Sequence, residues 1–243
     1  MVEVEYQIIF LEEEEFVTEL FVCFLFTERL LQLDREDRRK EYRKGFTQLD
    51  DIPTWREENR CETFYSLFKV LNAKLVEISL YKGDITVLEV DAIVNAGRSL
   101  TLFFCVCVSV DGCIHKAAGC CLYDECHSLN GCETGKAKIT CGYDLPARYV
   151  IHTVGPVARG HVGDKEIQDL TSCYKNSLDL VKEYDLRTVA FPCISTGIYG
   201  YPNEPAADIA LGTVKKWIEE NSDKVRHIAG ILESRICIEF KQI

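Results

Sequence analysis

Residues Val189–Ile194 form an apolar run with the length of a buried strand, and they lead straight into Ser195-Thr196-Gly197-Ile198-Tyr199-Gly200. A helix-like stretch follows from about Asn203 to Glu220, with Ala207, Ala210, Leu211, Val214, Trp217 and Ile218 on one face. Strand, short glycine-containing loop and helix, in that order, are the building step of a layered α/β fold. The loop has chemistry of its own. Free backbone N–H groups, hydroxyls and the positive end of a helix together suit phosphate. Gly197 and Gly200 allow backbone to approach a ligand without a Cβ in the way. Such a turn can equally be only a turn, so its meaning depends on what else reaches the same edge of the sheet.

The alternation extends over most of the chain. Leu75–Tyr81 alternates as a strand, and Lys82-Gly83-Asp84-Ile85-Thr86 is a turn that starts a short helix through Val90. Asp91–Asn95 is a second, mostly apolar strand, His115–Leu129 is helical in pattern, and Lys138–Thr140 and Tyr149–Val154 are strands. Ile167, Leu170, Tyr174, Leu178 and Val181 recur at helical spacing, and Arg226–Ile228 with Ile236–Phe240 form a final strand pair. The expected fold is a three-layer α/β/α domain with a mixed central sheet, and ligands of such sheets sit at the carboxyl ends of strands. Gly83-Asp84-Ile85, Asn95, Val110-Asp111-Gly112 and the Ser195 loop all fall at such ends. The Asp84 carboxylate suits an exocyclic amine such as adenine N6, or equally the N-terminus of the short helix.

The first 70 residues differ in texture. Glu12–Glu15 is a run of carboxylates, residues 28–44 are dense in both signs and read as a solvated helix, and Asp51-Ile52-Pro53-Thr54-Trp55 breaks it before a linker over 56–72. Residues 1–70 are thus expected as a partly helical arm of low order ahead of a domain spanning 71–243. A net charge of −11 argues against non-specific binding to nucleic acid or to an anionic membrane. The 13 cysteines lack the paired spacing of a zinc knuckle, and Met1 is followed by no basic region, so free thiols in a reducing compartment are expected. Leu20–Phe26 and Leu102–Val110 are far shorter than the roughly 20 residues of a spanning helix. His115 and His152, in apolar contexts, read as core or supporting residues, Cys113 and Cys193 as buried thiols, and Lys136 with Lys138 as a solvated face.

Five segments together carry a resemblance. They are Val90–Ala96, Val110-Asp111-Gly112-Cys113-Ile114-His115 continuing to Gly119, Thr134–Thr140, Tyr149-Val150-Ile151-His152-Thr153-Val154-Gly155-Pro156, and Phe191–Gly200. They resemble the MacroD-type macrodomains over about residues 74–233, and the arm near Arg38–Tyr42 and Ile52–Trp55 is similar to that family's N-terminal extension. The resemblance implies an ADP-ribose-binding α/β/α fold and a hydrolase that removes mono-ADP-ribose from acidic side chains and deacetylates O-acetyl-ADP-ribose. It further implies no metal and no cofactor besides the ligand itself. Partners would be ADP-ribose and mono-ADP-ribosylated proteins, with no direct contact to nucleic acid or membrane, in a monomer of the nucleus or cytoplasm. Carried over by position, Gly83, Asp84 and Ile85 would hold the adenine, and Asn95 and Ala96 would begin the loop around the distal ribose. Asp111 would be the catalytic aspartate with Gly112 beside it. Ile194, Ser195, Thr196, Gly197, Ile198, Tyr199 and Gly200 would wrap the diphosphate, Tyr199 covering the ribose, and Phe240 would wall the adenine.

One segment departs from the family. Where the family has a second asparagine and a run of glycines, this chain reads Gly97-Arg98-Ser99-Leu100-Thr101-Leu102-Phe103-Phe104-Cys105-Val106-Cys107-Val108-Ser109. Arg98 stands in the place of that asparagine. A β-branched residue in a left-handed glycine conformation costs on the order of 1–3 kcal/mol, and Phe103 and Phe104 seek burial. Matched flanks around an unmatched middle are the pattern of an alternative exon or of translated non-coding sequence. Three readings follow: an ADP-ribosyl hydrolase, an ADP-ribose-binding module whose turnover is impaired by residues 97–110, or a chain that folds poorly and does neither.

Overall fold

The computed structural model describes residues 25–43, 45–54, 76–97, 109–221 and 225–231. The segments 98–108 with Arg98, Phe103 and Phe104, 1–24, 55–75 and 232–243 with Phe240 lie outside the described residues.

Two short strands, β1 (Thr47–Gln48) and β3 (Leu88–Glu89), pair in parallel at one side. The main sheet holds β2 (Glu77–Tyr81), β4 (Ala92–Ala96), β5 (Ala137–Cys141), β6 (Tyr149–Thr153), β7 (Thr188–Phe191) and β8 (His227–Ile231), in the lateral order β2-β8-β7-β4-β6-β5. Every neighbouring pair is parallel except β5 with β6. The carboxyl ends of five strands therefore share one edge, which is the mixed three-layer arrangement expected. The strand expected over Arg226–Ile228 is β8, which inserts between β2 and β7, parallel to both, while its expected companion Ile236–Phe240 lies outside the described residues.

Helices α3 (Val110–Ala118), α4 (Cys120–Ser128), α5 (Asp164–Glu183) and α6 (Asn203–Asn221) cover the sheet. The helical pattern over His115–Leu129 resolves into two helices that meet at Gly119, which has φ +89° and whose added Cβ would lie 2.5 Å from Asp144 Oδ2. Alternation of side chains along the strands sorts the core into two faces. Val94, Ile151, Phe191 and Ile228 pack under Leu170, Tyr174 and Leu178 of α5 and Trp217 and Ile218 of α6. On the other face Ile93, Val150, Ala190 and Ala229 meet Ile114 of α3, Leu122 of α4 and the arm residues Leu30, Leu49 and Ile52. Full burial of one such aliphatic side chain contributes about 1.5–3 kcal/mol.

The arm is docked, not solvated, over its described part. Residues 25–32 are helical (α1), and α2 (Arg35–Arg39) follows, its N-terminus capped by Asp34 Oδ1 accepting from Asp37 N at 2.8 Å. Leu30 is 1% and Arg38 3% exposed. The Arg38 guanidinium donates to the carbonyls of Leu30 at 3.3 Å, Leu145 at 3.4 Å and Ala147 at 3.0 Å. Arg39 makes a two-pronged pair with Glu89, Nε to Oε1 and Nη2 to Oε2, each 2.8 Å. Arg35, Glu36, Asp37 and Lys40 are exposed as expected of a solvated face, while Arg38 and Arg39 turn inward and clamp α2 onto β3 and the Leu145–Ala147 loop. Among the described residues no helix is long and apolar enough to cross a membrane.

Candidate functional site

Register decides which polar side chains meet. Asn95 on β4 lies opposite His152 on β6, and Thr140 on β5 lies across from Val150, so all three project to the face covered by α3 and α4. Ser109 starts α3: its Oγ accepts from Gly112 N at 3.2 Å. Asp111 then sits in the first helical turn, where the helix dipole favours a carboxylate. Asn95 Nδ2 donates to Asp111 Oδ1 at 2.7 Å and approaches His152 Nδ1 at 3.2 Å. One turn further along α3, His115 Nε2 stands 3.6 Å from the same Asp111 oxygen. Gly97 closes the approach from the strand side, since a Cβ there would lie 2.7 Å from Asp111 Oδ1. Asn95 is 1% exposed and its Oδ1 has no partner among the described residues.

His152 is fully enclosed. Its Nε2 lies 2.8 Å from Thr140 Oγ1, and Cys126 Sγ of α4 is 3.6 Å from that nitrogen. Burial, with the neighbouring His115 adding to it, pulls the His152 pKa down from 6.5 to about 3, so the ring is neutral. Burial also pushes the Cys126 thiol up to about 12 and keeps it protonated. His115, Cys126 and His152 each offer one potential ligand atom, all within 4.8 Å of one another. Both nitrogens of His152 already face hydrogen-bonding partners, so a metal would have to displace Thr140 or Asn95.

The loop after β7 closes back on the one after β6. Ala158 and Arg159 N–H both donate to the Tyr199 carbonyl, at 2.9 and 2.8 Å, and Gly160 N–H to the Gly200 carbonyl at 2.9 Å. Tyr201 N–H donates to the Ser195 carbonyl and Gly200 N–H to the Gly197 carbonyl, each at 2.9 Å. The N–H groups of Gly197, Ile198 and Tyr199 donate to no backbone carbonyl among the described residues. Left-handed backbone occurs at Ser195 (φ +65°) and Gly200 (φ +63°), so Ser195, and not Gly197, carries the strain in this loop. Ser195 Oγ is buried without a partner among the described residues, and an added Cβ on Gly155 would stand 2.1 Å from it.

The expected site residues thus divide. Asn95, Ala96 and Asp111 come together at the end of β4, and Ser195, Thr196, Gly197, Ile198, Tyr199 and Gly200 form the loop beyond β7, the strand beside β4. Asp84, exposed at the end of β2 beside Gly83, uses one carboxylate oxygen to cap the Ile85–Val87 turn, accepting from Thr86 N at 2.9 Å and Thr86 Oγ1 at 2.7 Å. The Ile85 and Ile194 side chains are core, 6% and 0% exposed, so only their backbone can face a ligand. Gly112 is a helix residue and its N–H is taken by the Ser109 cap. His115, expected as a core or supporting residue, stands beside Asp111, and Gly97 and Gly155, to which no site role was assigned, border the site. The i,i+4 spacing of Asp111 and His115 at a helix start was the available signal. Cys113, expected buried, is exposed, because its place on α3 faces away from the sheet.

Residues 106–210 match the family model described as Macro domain. The chain is 56% identical over 207 residues to human ADP-ribose glycohydrolase MACROD2, covering 83% of this chain and 48% of that protein. It therefore spans about half the length of that relative. It is 53% identical over 152 residues to a macro domain-containing protein of Mesorhizobium japonicum, covering 63% of this chain and 84% of that one. In three dimensions it is similar to the Trypanosoma brucei macrodomain in complex with ADP-ribose, with a TM-score of 0.69 and 33% identity over 89% of this chain and 85% of that one. Sequence identity of this extent over most of the chain leads to one assignment: the chain belongs to the macrodomain family, and within it to the MacroD type.

Proposed function

We propose that the site at the strand ends binds ADP-ribose and hydrolyses its ester to acidic side chains, releasing free ADP-ribose and an unmodified carboxylate, and that it also removes the acetyl group of O-acetyl-ADP-ribose, with water adding to the acetyl carbonyl and acetate leaving. The observation that carries this reading is the Asp111 carboxylate fixed by Asn95 at 2.7 Å, on the sheet edge that also bears the Ser195–Gly200 loop. The similarity to human ADP-ribose glycohydrolase MACROD2 and to a trypanosomal macrodomain in complex with ADP-ribose supports it.

The scissile bond joins the anomeric carbon of the distal ribose to an acyl oxygen. Water adds at that carbon, the bond to the acyl oxygen breaks, and the carboxylate leaves as an anion. The proton of the water passes to Asp111 or to a phosphate of the ligand. His115 Nε2, 3.6 Å from the same carboxylate, offers Asp111 a further proton partner. The N–H groups of Gly197, Ile198 and Tyr199, which donate to no backbone carbonyl among the described residues, would hold the diphosphate, so that the ribose meets the water in one pose. Asp84 would take the adenine amine with the oxygen not used for capping. No step needs a metal, and the donor nitrogens of His152 are committed elsewhere. Cysteines without the paired spacing of a zinc knuckle suit a reducing compartment such as nucleus or cytoplasm.

Replacement of the family's second asparagine by Arg98 favours a second reading, binding without turnover. Incubation with a glutamate-mono-ADP-ribosylated acceptor, alongside calorimetry with ADP-ribose, separates the two. Release of ADP-ribose by the wild-type chain and none by Asp111→Ala is the expected result. Binding with no release establishes the second reading, and no binding at all sinks both.

A further inference from the structure

The buried polar groups behind Asp111 form a chain of donors and acceptors, with the Cys126 thiol alongside, 3.6 Å from His152 Nε2 and 3.9 Å from Nδ1. Asn95 Nδ2 has two hydrogens, one directed at Asp111 Oδ1 at 2.7 Å and the other at His152 Nδ1 at 3.2 Å. An amide nitrogen accepts nothing, so His152 Nδ1 must carry the lone pair. The ring proton then lies on Nε2, which donates to Thr140 Oγ1 at 2.8 Å. The Thr140 hydroxyl spends its own hydrogen on the carbonyls of Cys141 at 3.2 Å and Val150 at 3.5 Å. Each role forces the next, from a strand carbonyl to the Asp111 carboxylate.

The Asn95 amide has a competing orientation. Its Oδ1 is buried with no partner among the described residues, and an unpaired buried acceptor is unfavourable. Rotation by half a turn would bring Oδ1 to within reach of a donor on His152, but only if Nδ1 carried the proton. It would also set Oδ1 against the Asp111 carboxylate. The Nε2–H tautomer of His152 and the Asp111 carboxylate therefore select the same amide orientation.

We infer that His152 is a positioning residue of this site: Thr140 fixes its Nε2–H tautomer, and that tautomer holds the Asn95 amide so that it donates to Asp111. This rests on the proposed hydrolysis for its effect on rate, but not for its effect on the amide. His152 is 4% exposed and meets Asn95 through Nδ1, so its influence on Asp111 runs through that amide.

The test uses the full chain with Thr140→Val, His152→Phe and His152→Gln. Nitrogen-15 spectra of the wild type should show His152 protonated at Nε2 and bare at Nδ1, and Thr140→Val should shift the Asn95 side-chain amide signals. In single-turnover release from a glutamate-modified acceptor, His152→Phe should lower the rate about 10- to 100-fold while the calorimetric Kd for ADP-ribose stays within about threefold. His152→Gln can accept from Asn95 and donate to Thr140, and should recover most of that loss. Should His152→Phe fail to fold, Thr140→Val, which removes one hydroxyl at constant shape, supplies the rate comparison. An Nδ1–H tautomer, or a wild-type rate in His152→Phe or Thr140→Val, overturns the inference. If the wild type releases no ADP-ribose, the hydrolase reading falls, and the spectra alone decide: Asn95 amide signals unmoved by Thr140→Val overturn the positioning role as well.

Discussion

Asn95 and Asp111 are joined by a 2.7 Å hydrogen bond that ties the end of a central strand to the first turn of the next described helix. A carboxylate held by a buried amide cannot swing to suit whatever occupies the cleft, and its second oxygen is left to address a water. The same bond makes the position sensitive to anything that crowds it.

Gly97 is the residue placed to crowd it. A methyl group there would lie 2.7 Å from Asp111 Oδ1 and 3.6 Å from Asn95 Nδ2, and the first of these is closer than van der Waals contact permits. Gly97→Ala should therefore displace the carboxylate while leaving the Ser195 loop untouched. The expected outcome is a loss of about a hundredfold in kcat, the scale that follows misplacement of a reacting group by about 1 Å, with ADP-ribose affinity changed little. Kinetics on the modified acceptor, paired with calorimetry, check the split.

Gly155 should behave in the opposite way. Its added Cβ would meet Ser195 Oγ at 2.1 Å and Ile194 Cγ2 at 2.8 Å, and neither neighbour has room to retreat, since both are buried. Gly155→Ala would push the Ser195 loop off its position beyond β7 without touching Asp111. ADP-ribose affinity is expected to weaken about tenfold, equivalent to about 1.4 kcal/mol, and a Kd equal to that of the wild type would contradict the assignment of this loop to the diphosphate.

What the sequence disclosed about this fold follows a physical rule. The strands and the helices α5 and α6 announce themselves because their burial is periodic, and the period is visible in Ile167, Leu170, Tyr174, Leu178 and Val181 as it is in the apolar run before Ser195. Arg38 was illegible for the converse reason. A guanidinium is buried here because three carbonyls converge on it from Leu30, Leu145 and Ala147, and two of those lie more than a hundred positions away. Local composition can report charge but not a distant acceptor. The same limit applies to His115 and His152: their apolar neighbours spoke for burial, and only the register of β4 on β6 brings Asn95 between His152 and Asp111. Ser195 gave no sign of its left-handed backbone, because serine has no conformational signature of the kind glycine carries.

The docking of the arm makes a stability prediction. Arg38→Ala removes the buried guanidinium and leaves the carbonyls of Leu145 and Ala147 without that donor. Hydrogen bonds to a charged group and the desolvation of abandoned acceptors together put the expected destabilisation at about 2–4 kcal/mol. Chemical denaturation monitored by tryptophan emission measures it, and a change below about 0.5 kcal/mol, the size expected of a solvated surface residue, would mean the arm contributes nothing to the domain.

Acid should unfold the protein in a window set by His152. Its folded pKa of about 3 lies below the ordinary value of 6.5, so between these values the unfolded chain binds a proton that the folded chain refuses. Stability from this residue is complete above 6.5 and declines as pH falls toward 3. The slope is about 1.4 kcal/mol per pH unit, or about 2 kcal/mol lost between pH 7 and 5. His227, also lowered by burial, acts in the same sense. Glu125, raised by burial, acts in the opposite sense, because its folded carboxyl gains a proton more readily than the unfolded one, and its effect lies nearer the carboxylate range. Substitution isolates the contribution: His152→Gln cannot titrate, so its stability should fall less steeply than that of the wild type between pH 7 and 5. Parallel curves for the two proteins would show that His152 is not held neutral in the fold.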